Sequence, residues 1–382
     1  MTDNSAKKFI IITLLYPLPF VVALFGLLYI YDPMQIFHKP YFREARFFTD
    51  MRKQALGIIK YGEFDSYIIG TSMLETTSAM EASDKLNGKF INISVLDSYP
   101  NESAVIINYI LQHATHQPKH IIYSFDPFYN VKAVKRDTSH FDFLYDNNLL
   151  NDIKFYFNHK TIECAISFSN KSECIGEYDN IYNITSWYNQ NKHRFGGFEN
   201  WIKYKDDDRV KSILQSIKEL KFSNLKKPDK IDIARQQKYI QTYLIDFLQK
   251  YPNTKFSIII PPYLRLFYIV ENSFVEDNSM YFYQWTSLLK WFIEETDKLP
   301  NVTIYGFDNL DYADNIANYN DLSHYKTDMN SMQLDAIKDG TNILTLQNID
   351  DYISTMEQKI KSYDMQPFVE MLKNAQIKAD KK

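Results

Sequence analysis

The sequence predicts an α/β protein with a parallel central sheet. Short runs of β-branched and aromatic residues recur along the chain, and the stretches between them show helical periodicity. Continuous apolar runs are typical of parallel strands, because helices cover both faces of a parallel sheet. The alternation of strand and helix indicates a doubly wound sheet with helices on both faces. The predicted strands are 66–70, 89–93, 120–125, 255–260 and 301–305.

One long region departs from this alternation. Residues 127–228 are polar and aromatic with weak periodicity, and they predict either an insertion that caps the sheet or a separate small domain. The predicted helices are 73–86, 101–114, 230–250, 279–298 and one or two in 349–378. The predicted organisation is a cytoplasmic tip and transmembrane anchor (1–31), a tether and first helix (32–60), an α/β domain (61–348) that contains the insertion, and C-terminal helices (349–382).

The N-terminal region contains an apolar stretch that predicts a transmembrane helix. No charged residue occurs from Phe9 to Tyr31, which is long enough to cross the hydrocarbon core of a bilayer. A cleaved signal peptide is the alternative, but the stretch ends without the small-residue cleavage site of such a peptide. We therefore expect an uncleaved, single-pass anchor.

The features that bear on membrane orientation point in different directions. Basic residues are more numerous just after the apolar stretch than before it, and a count of positive charges would place the large domain in the cytoplasm. Cys164 and Cys174 are either a disulfide pair, which would indicate an oxidising compartment, or two unrelated thiols.

Composition excludes several classes of protein. The net charge is −4 with both signs interspersed, whereas a nucleic-acid binder usually shows a clustered basic excess. The sequence has no CxxC pair or Cys/His cluster of the kind that binds structural zinc. It also lacks the glycine patterns of nucleotide-binding loops. We therefore expect no metal and no cofactor.

Ser72 lies where the first predicted strand gives way to a helix, in the sequence Gly70-Thr71-Ser72. Ligands of open parallel sheets bind beyond the carboxyl ends of the strands, so this turn presents the serine hydroxyl at the ligand-binding edge. The N–H groups at the start of the following helix can stabilise negative charge on an oxygen atom. The alternative role for such a serine is a helix N-cap.

A second motif, Asp321-Leu322-Ser323-His324, follows the last predicted strand. A carboxylate three residues before a histidine can accept its Nδ1–H, which leaves Nε2 free to take a proton from a serine hydroxyl. The alternative is a surface histidine that happens to lie near a carboxylate. Because one motif follows the first strand and the other the last, we expect Ser72, Asp321 and His324 to meet at one edge of the sheet as a catalytic triad.

The chain resembles the SGNH/GDSL hydrolase superfamily, and within it the membrane-anchored DltD-like type. The matching features are the anchor, Gly70-Thr71-Ser72 in the nucleophile block and Asp321-x-x-His324 in the final block. Phe90-Ile91-Asn92-Ile93-Ser94 resembles the second block, and Ser124-Phe125-Asp126-Pro127 stands where the third is expected. The resemblance implies a flavodoxin-like three-layer sandwich.

The resemblance also implies an oxyanion hole made by backbone N–H groups at Ser72 and near Ser94, together with a side chain of the third block. Two positions depart from the family pattern. The second block has no glycine, and Asp126 stands in place of an asparagine. An ionised carboxylate repels an oxyanion, so Asp126 lies off the site, is protonated or serves another role.

For function, the resemblance implies a serine esterase or O-acyltransferase that acts on an acyl ester of a cell-envelope glycan or polymer. The expected location is the bacterial inner membrane, with the soluble domain on the periplasmic, extracytoplasmic side. Expected partners are the membrane, the acyl-ester substrate and a multi-span acyltransferase. The alternatives are a non-catalytic accessory protein that binds envelope glycan or a membrane partner, and a structural subunit of a membrane assembly.

Overall fold

The computed structural model describes residues 3–114, 117–184, 187–271, 275 and 277–380. The chain folds as two compact units. The first comprises Met1–Gly62 and Asp137–Ile184, and the second comprises Glu63–Arg136 and Thr185–Lys382. The second unit contains the sheet and every residue of the predicted site.

Strands and many short helices make up the described part of the chain. The strands are β1 (Ser66–Ile69), β2 (Phe90–Asn92), β3 (His120–Ser124), β4 (Lys255–Ile260), β5 (Val302–Gly306) and β6 (Ile343–Leu344). The helices are α1 (Asp3–Leu15), α2 (Leu18–Tyr31), α3 (Met51–Tyr61), α4 (Ser72–Glu75), α5 (Ala79–Leu86), α6 (Pro100–His113), α7 (Pro127–Lys132), α8 (Leu149–Asp152), α9 (His159–Ile166), α10 (Ser172–Ile175), α11 (Tyr188–Asn191), α12 (Phe198–Lys203), α13 (Asp208–Lys218), α14 (Ala234–Ile240), α15 (Asp246–Lys250), α16 (Leu266–Ile269), α17 (Asn278–Thr296), α18 (Thr327–Asp339), α19 (Ile349–Lys361) and α20 (Gln366–Asp380). A π-helical segment, Gln241–Ile245, joins α14 to α15.

The sheet has the strand order β2-β1-β3-β4-β5-β6. The first five strands are parallel, which confirms the predicted α/β class and all five predicted strands with nearly the predicted bounds. The sheet is not wholly parallel, because β6 runs antiparallel to β5. The sequence does not predict β6, since a strand of two residues carries no periodic signal.

Helices cover the sheet in two groups. The chain crosses from β1 to β2 in one direction and returns past β1 to β3, so right-handed crossovers place α5 and α6 on opposite faces. α5 packs against α18, whereas α6 packs against the π-helical segment and α14 packs against α17. The predicted C-terminal helices are α19 and α20, and α20 packs against α12 and α13. The carboxyl ends of the parallel strands meet at one edge, and the candidate site lies there.

The first unit combines the apolar N-terminal helix with α3 and α8 to α10. The helical stretch Ser5–Tyr31 is long enough and apolar enough to cross a membrane. Pro17 marks the break between α1 and α2. A disulfide joins Cys164 to Cys174 and so connects α9 to α10. Of the two states that the sequence leaves open for these cysteines, the structure has the paired one.

The region predicted as an insertion, 127–228, is divided between the two units. Asp137–Ile184 folds with the N-terminal residues, where Tyr178 forms an antiparallel bridge with Phe47. The rest of the region belongs to the unit that carries the sheet. The chain from 127 to 228 thus contributes to both compact units.

His120 opens β3 with a buried imidazole. Its Nε2 lies 2.8 Å from Ser257 Oγ, and its ring contacts Phe90 edge-on. Burial, with a smaller contribution from the charge of Lys255, lowers the pKa of His120 from 6.5 to about 3. The folded protein therefore keeps this imidazole neutral at pH values where the unfolded chain takes up a proton. The free energy of unfolding should fall as the pH falls from 6.5 towards 3.

We expect His120→Gln to make the fold less sensitive to acid. Glutamine can bond to Ser257 but takes up no proton, so it removes a dependence of about 1.4 kcal/mol per pH unit below pH 6.5. Melting temperatures of the detergent-solubilised protein, measured from neutral to acidic pH, should converge between variant and parent. His113→Gln at an exposed position is the control. A constant difference in melting temperature over this range would contradict the role assigned to His120.

Candidate active site

Ser72 is the first residue of α4, directly after the carboxyl end of β1. Thr71 caps this helix with its side chain. Gly70 is needed at the turn, because a Cβ there would lie 2.9 Å from Ser124 Cβ and 3.0 Å from Leu74 Cβ. The helix N-cap role is therefore taken by Thr71, and the Ser72 hydroxyl is left to face a cavity.

Asn92, at the end of β2, ties α4 to the sheet. Its amide nitrogen donates to the carbonyl oxygens of Leu74 at 2.8 Å, Glu75 at 3.2 Å and Thr77 at 2.8 Å. Its Oδ1 accepts the N–H of Ser94 at 3.0 Å. A helix of one turn has too few residues to satisfy its last carbonyl groups internally. Asn92 supplies the missing donors and fixes the helix against β2.

Two other segments hold the first carbonyl groups of α4. The indole N–H of Trp187 donates to the carbonyl of Ser72 at 2.9 Å. The Tyr325 hydroxyl and the Asn330 amide donate to the carbonyl of Met73 at 2.9 and 3.0 Å. Every carbonyl group of the turn that carries the serine is thus held by a side chain from elsewhere in the same unit.

His324 lies in a tight loop that Asp321 organises. Asp321 Oδ1 accepts the N–H groups of Ser323 at 3.0 Å and of His324 at 2.9 Å. An antiparallel bridge between Tyr319 and Tyr325 closes the loop. The same carboxylate contacts His324 Nδ1 through both oxygens, at 2.9 and 2.8 Å. The loop therefore holds the imidazole by its backbone and by its ring.

The other ring nitrogen reaches the serine: His324 Nε2 lies 2.8 Å from Ser72 Oγ. Because Nδ1 faces a carboxylate, it carries the proton of the neutral imidazole, and Nε2 accepts from the Ser72 hydroxyl. This arrangement can remove the hydroxyl proton as the oxygen attacks an electrophile. The structure thus brings together the three residues that the sequence predicted to meet.

Charges around Asp321 keep its carboxylate ionised. Burial by itself would raise the pKa of Asp321, but the attraction of a protonated His324, the hydrogen bonds from His324 and the charge of Arg209 hold it far below the ordinary value. The Arg209 guanidinium donates to Asp321 Oδ2 at 3.2 Å. A carboxylate that stays negative can stabilise a positively charged imidazole during proton transfer.

Asp126 follows β3 and lines the same cavity as Ser72. Its carboxylate accepts hydrogen bonds from the Tyr263 hydroxyl at 2.5 Å and from the Thr71 hydroxyl and the Phe128 N–H, each at 3.1 Å. Burial raises the pKa of Asp126, and these hydrogen bonds offset the rise only in part. Asp126 therefore lies at the site, where it positions Thr71 and caps α7.

Ser94 does not fit its predicted role as an oxyanion donor. Its N–H donates to Asn92, and it is not among the residues around the cavity. Within the described residues, the N–H groups of Ser72 and Leu96 have no hydrogen-bond acceptor, and both residues line the cavity. The available donor after β2 is therefore Leu96, two residues beyond the predicted one.

The cavity in front of Ser72 has a volume of about 560 Å³, within the range of small-molecule sites. Much of its wall is apolar or aromatic: Met73, Leu96, Phe128, Tyr129, Trp187, Ile213, Phe267 and Leu322. The ring of Trp187 lies 4.8 Å from the imidazole of His324 and covers one side of it. His324 and Ser72, which its Nε2 contacts, both line the cavity.

Comparison with known proteins adds no family or relative: no protein-family model matches the chain, and no curated protein matches it. The chemistry of the site is therefore argued from its geometry. Among the described residues, no group of three or more His, Cys, Asp or Glu side chains could hold a metal ion.

Sequence reasoning missed the residues that position the triad. The resemblance places Asn92 in the second block, but the contacts of its amide with three carbonyl groups follow from the fold. Trp187 and Arg209 lie in a region with weak periodicity, and no spacing rule connects them to Ser72 or Asp321. Aromatic residues are so common in this chain that the sequence gives no reason to single out Trp187.

We expect Asn92→Ala to lower both the stability of the protein and the reactivity of Ser72. Loss of this half-buried donor leaves carbonyl groups without a side-chain partner, which should cost about 1 kcal/mol of unfolding free energy. Displacement of α4 should slow modification of Ser72 by an electrophilic serine reagent by about tenfold. Melting temperature and the rate of covalent labelling measure the two effects.

Asn301→Ala is the matched control. Asn301 holds three carbonyl groups in the same way, at 3.1 to 3.3 Å, but these belong to Leu248, Tyr251 and Thr254, away from the cavity. It should lower the melting temperature without slowing the reaction of Ser72. Equal losses of reactivity in the two variants would mean that Asn92 acts only through global stability.

Proposed function

We propose that this protein is a membrane-anchored serine esterase or O-acyltransferase of the SGNH/GDSL type that acts on an acyl ester. The observation that carries the proposal is the continuous contact from Ser72 Oγ through His324 to Asp321, at 2.8 Å on each side of the imidazole. A serine used only as a cap or packing residue has no need of an oriented base.

The proposed reaction begins with attack of Ser72 Oγ on the ester carbonyl carbon. His324 Nε2 takes the hydroxyl proton, and the carbonyl electron pair moves to its oxygen to give a tetrahedral intermediate. Collapse breaks the bond to the alcohol oxygen, which takes the proton from His324. The acyl group remains on Ser72 until water or an acceptor hydroxyl, deprotonated by His324, attacks and releases it.

The N–H groups of Ser72 and Leu96 are the proposed donors to the oxyanion. Both line the cavity and lack acceptors in the described part of the chain. Preorganised donors of this kind are worth about 3 kcal/mol each in comparable sites. Asp126 takes no oxyanion role in this scheme, since its two oxygens already accept hydrogen bonds.

The proposed fold type and cellular location rest on three further observations. The order of the parallel strands, 2-1-3-4-5, is that of flavodoxin-like sheets. The helix Ser5–Tyr31 has the length and composition of an anchor. The disulfide between Cys164 and Cys174 favours an oxidising compartment. We therefore place the chain after Tyr31 outside the bacterial inner membrane.

The substrate class and partners follow from this location. An anchored enzyme outside the inner membrane meets acylated envelope glycans or polymers, which we propose as its substrates. A multi-span acyltransferase remains the proposed partner if the acyl group arrives through the membrane. Gln190 and Asn191 on the cavity wall offer amides that can bind sugar hydroxyls.

The test is covalent labelling of the detergent-solubilised full chain with a fluorophosphonate. Ser72→Ala should abolish labelling, and Asp321→Asn should slow it about 10³-fold or more, because the amide favours the wrong imidazole tautomer. Ser78→Ala is the control, since it removes an exposed helix cap outside the cavity. Parent, Ser78→Ala and Asp321→Asn proteins must have comparable melting temperatures.

The absence of labelling on a folded parent protein would refute the catalytic proposal and favour a non-catalytic protein that binds envelope glycan. Labelling that persists in Ser72→Ala would place the nucleophile elsewhere. A simple aryl ester, supplied with and without an added alcohol, then distinguishes a hydrolase from a transferase. A hydrolase releases the free acid, whereas a transferase forms a new ester with the added alcohol.

A further inference from the structure

We infer that a ring of exposed side chains around the end of the N-terminal helix rests in the interfacial and upper acyl-chain region of the bilayer. The ring, here called the collar, consists of Tyr41, Phe42, Phe157, Ile166 and Phe168. The inference rests on the proposed membrane anchor and adds a second lipid contact, made by the folded part of the first unit. All the residues concerned belong to that unit.

The free part of the helix is too short to cross a bilayer alone. Side chains from Phe9 to Ala23 are exposed, whereas Leu28 and Tyr31 are 0% and 2% exposed. With Lys8 at the opposite surface, the free apolar stretch measures about 22 Å at about 1.5 Å per residue. The hydrocarbon core is about 30 Å thick, so about 8 Å remains to be filled. The next residues of the helix fill that depth, and the first unit covers them on one side only, since Tyr29 and Ile30 are 45% and 43% exposed.

Aromatic side chains of the first unit pack against this partly covered segment. The ring of Phe157 packs edge-on against Phe25, with centroids 5.0 Å apart, and Phe168 packs against Tyr31 at 5.5 Å. Phe168 also contacts Phe42 at 6.2 Å. The collar is therefore continuous with the apolar helix at the depth where the bilayer should end.

The outward surfaces of the collar are exposed within the described residues of this unit. Phe42 is 74% exposed and Ile166 is 70% exposed. Ile166 ends α9, which packs directly against α2. Exposed apolar side chains that contact one another, as those of Tyr41, Phe42 and Phe168 do, mark a surface for lipid or protein. Lipid is the occupant we assign, because the helix beside them already requires it and aromatic rings favour the membrane interface.

The inference is testable with a fluorophore attached to single introduced cysteines in the full chain. Both native cysteines form the disulfide, so labelling without reductant modifies only the new thiol. The positions are Phe42→Cys and Ile166→Cys in the collar, Val22→Cys in the free helix, and Ser139→Cys on a polar surface of the same unit. Each labelled protein is placed in phosphatidylcholine nanodiscs with or without bromine on the upper acyl chains, and must keep the parent melting temperature.

We expect probes at Phe42 and Ile166 to emit at shorter wavelength than the probe at Ser139. Bromolipid should quench them to at least about half the extent found at Val22, with little quenching at Ser139. If Val22 is quenched while both collar probes behave like Ser139, the collar does not enter lipid and the anchor still stands. If Val22 itself is not quenched, the anchor fails. Quenching at both collar positions in nanodiscs would establish the lipid contact.

Discussion

The geometry of the site depends on how the single turn of α4 is held. One helical turn has no stability of its own, because the first turn of a helix is the costly one to form. Its carbonyl groups are instead satisfied by Asn92 from β2, by Trp187 and by two residues that follow His324. The position of the serine oxygen is thus set by tertiary contacts, and a change in any of them moves the nucleophile.

Two hydrogen bonds at adjacent residues join the segment that carries the nucleophile to the segment that carries the base. Ser72 Oγ meets His324 Nε2 at 2.8 Å, and the carbonyl of the next residue, Met73, accepts the hydroxyl of Tyr325 at 2.9 Å. The second bond is buried and involves no group that reacts. It keeps the two segments in register while the first bond breaks and forms during proton transfer, which is how a site avoids reorganisation in the transition state.

Two buried carboxyl groups, Asp321 and Asp126, line one cavity, and their surroundings shift their pKa values in opposite directions. Asp321 lies against His324 and Arg209, and its pKa is lowered. Asp126 is bonded to the neutral groups of Tyr263 and Thr71, and burial raises its pKa. In enzyme sites, two acidic groups whose pKa values are shifted apart in this way usually have different roles. The carboxylate of Asp321 therefore keeps its negative charge behind the imidazole, where a positive charge develops when the serine is deprotonated.

The sequence predicted the parts of this structure that depend on local patterns. Continuous apolar runs located the strands, and the positions of Ser72 and His324 after the first and last of these predicted strands located the candidate site. Sequence patterns do not predict the hydrogen bonds that Asn92 and Trp187 donate, because each of these bonds joins a backbone atom to a side chain more than ten residues away. The family resemblance points to Ser94, yet the N–H of Ser94 already donates to Asn92, and the available N–H is that of Leu96.

In the proposed reaction, the choice between water and an alcohol as acyl acceptor depends on the open side of the imidazole. Trp187 covers one side of His324, so an acceptor must reach Nε2 through the cavity. A hydroxyl held in a productive orientation gains effective molarities of about 10⁵ M or more, which exceeds the concentration of water. The polar groups able to orient it are Gln190, Asn191 and Ser323 on the cavity wall. Transfer therefore needs only that these side chains bind the acceptor before water reaches the acyl-enzyme.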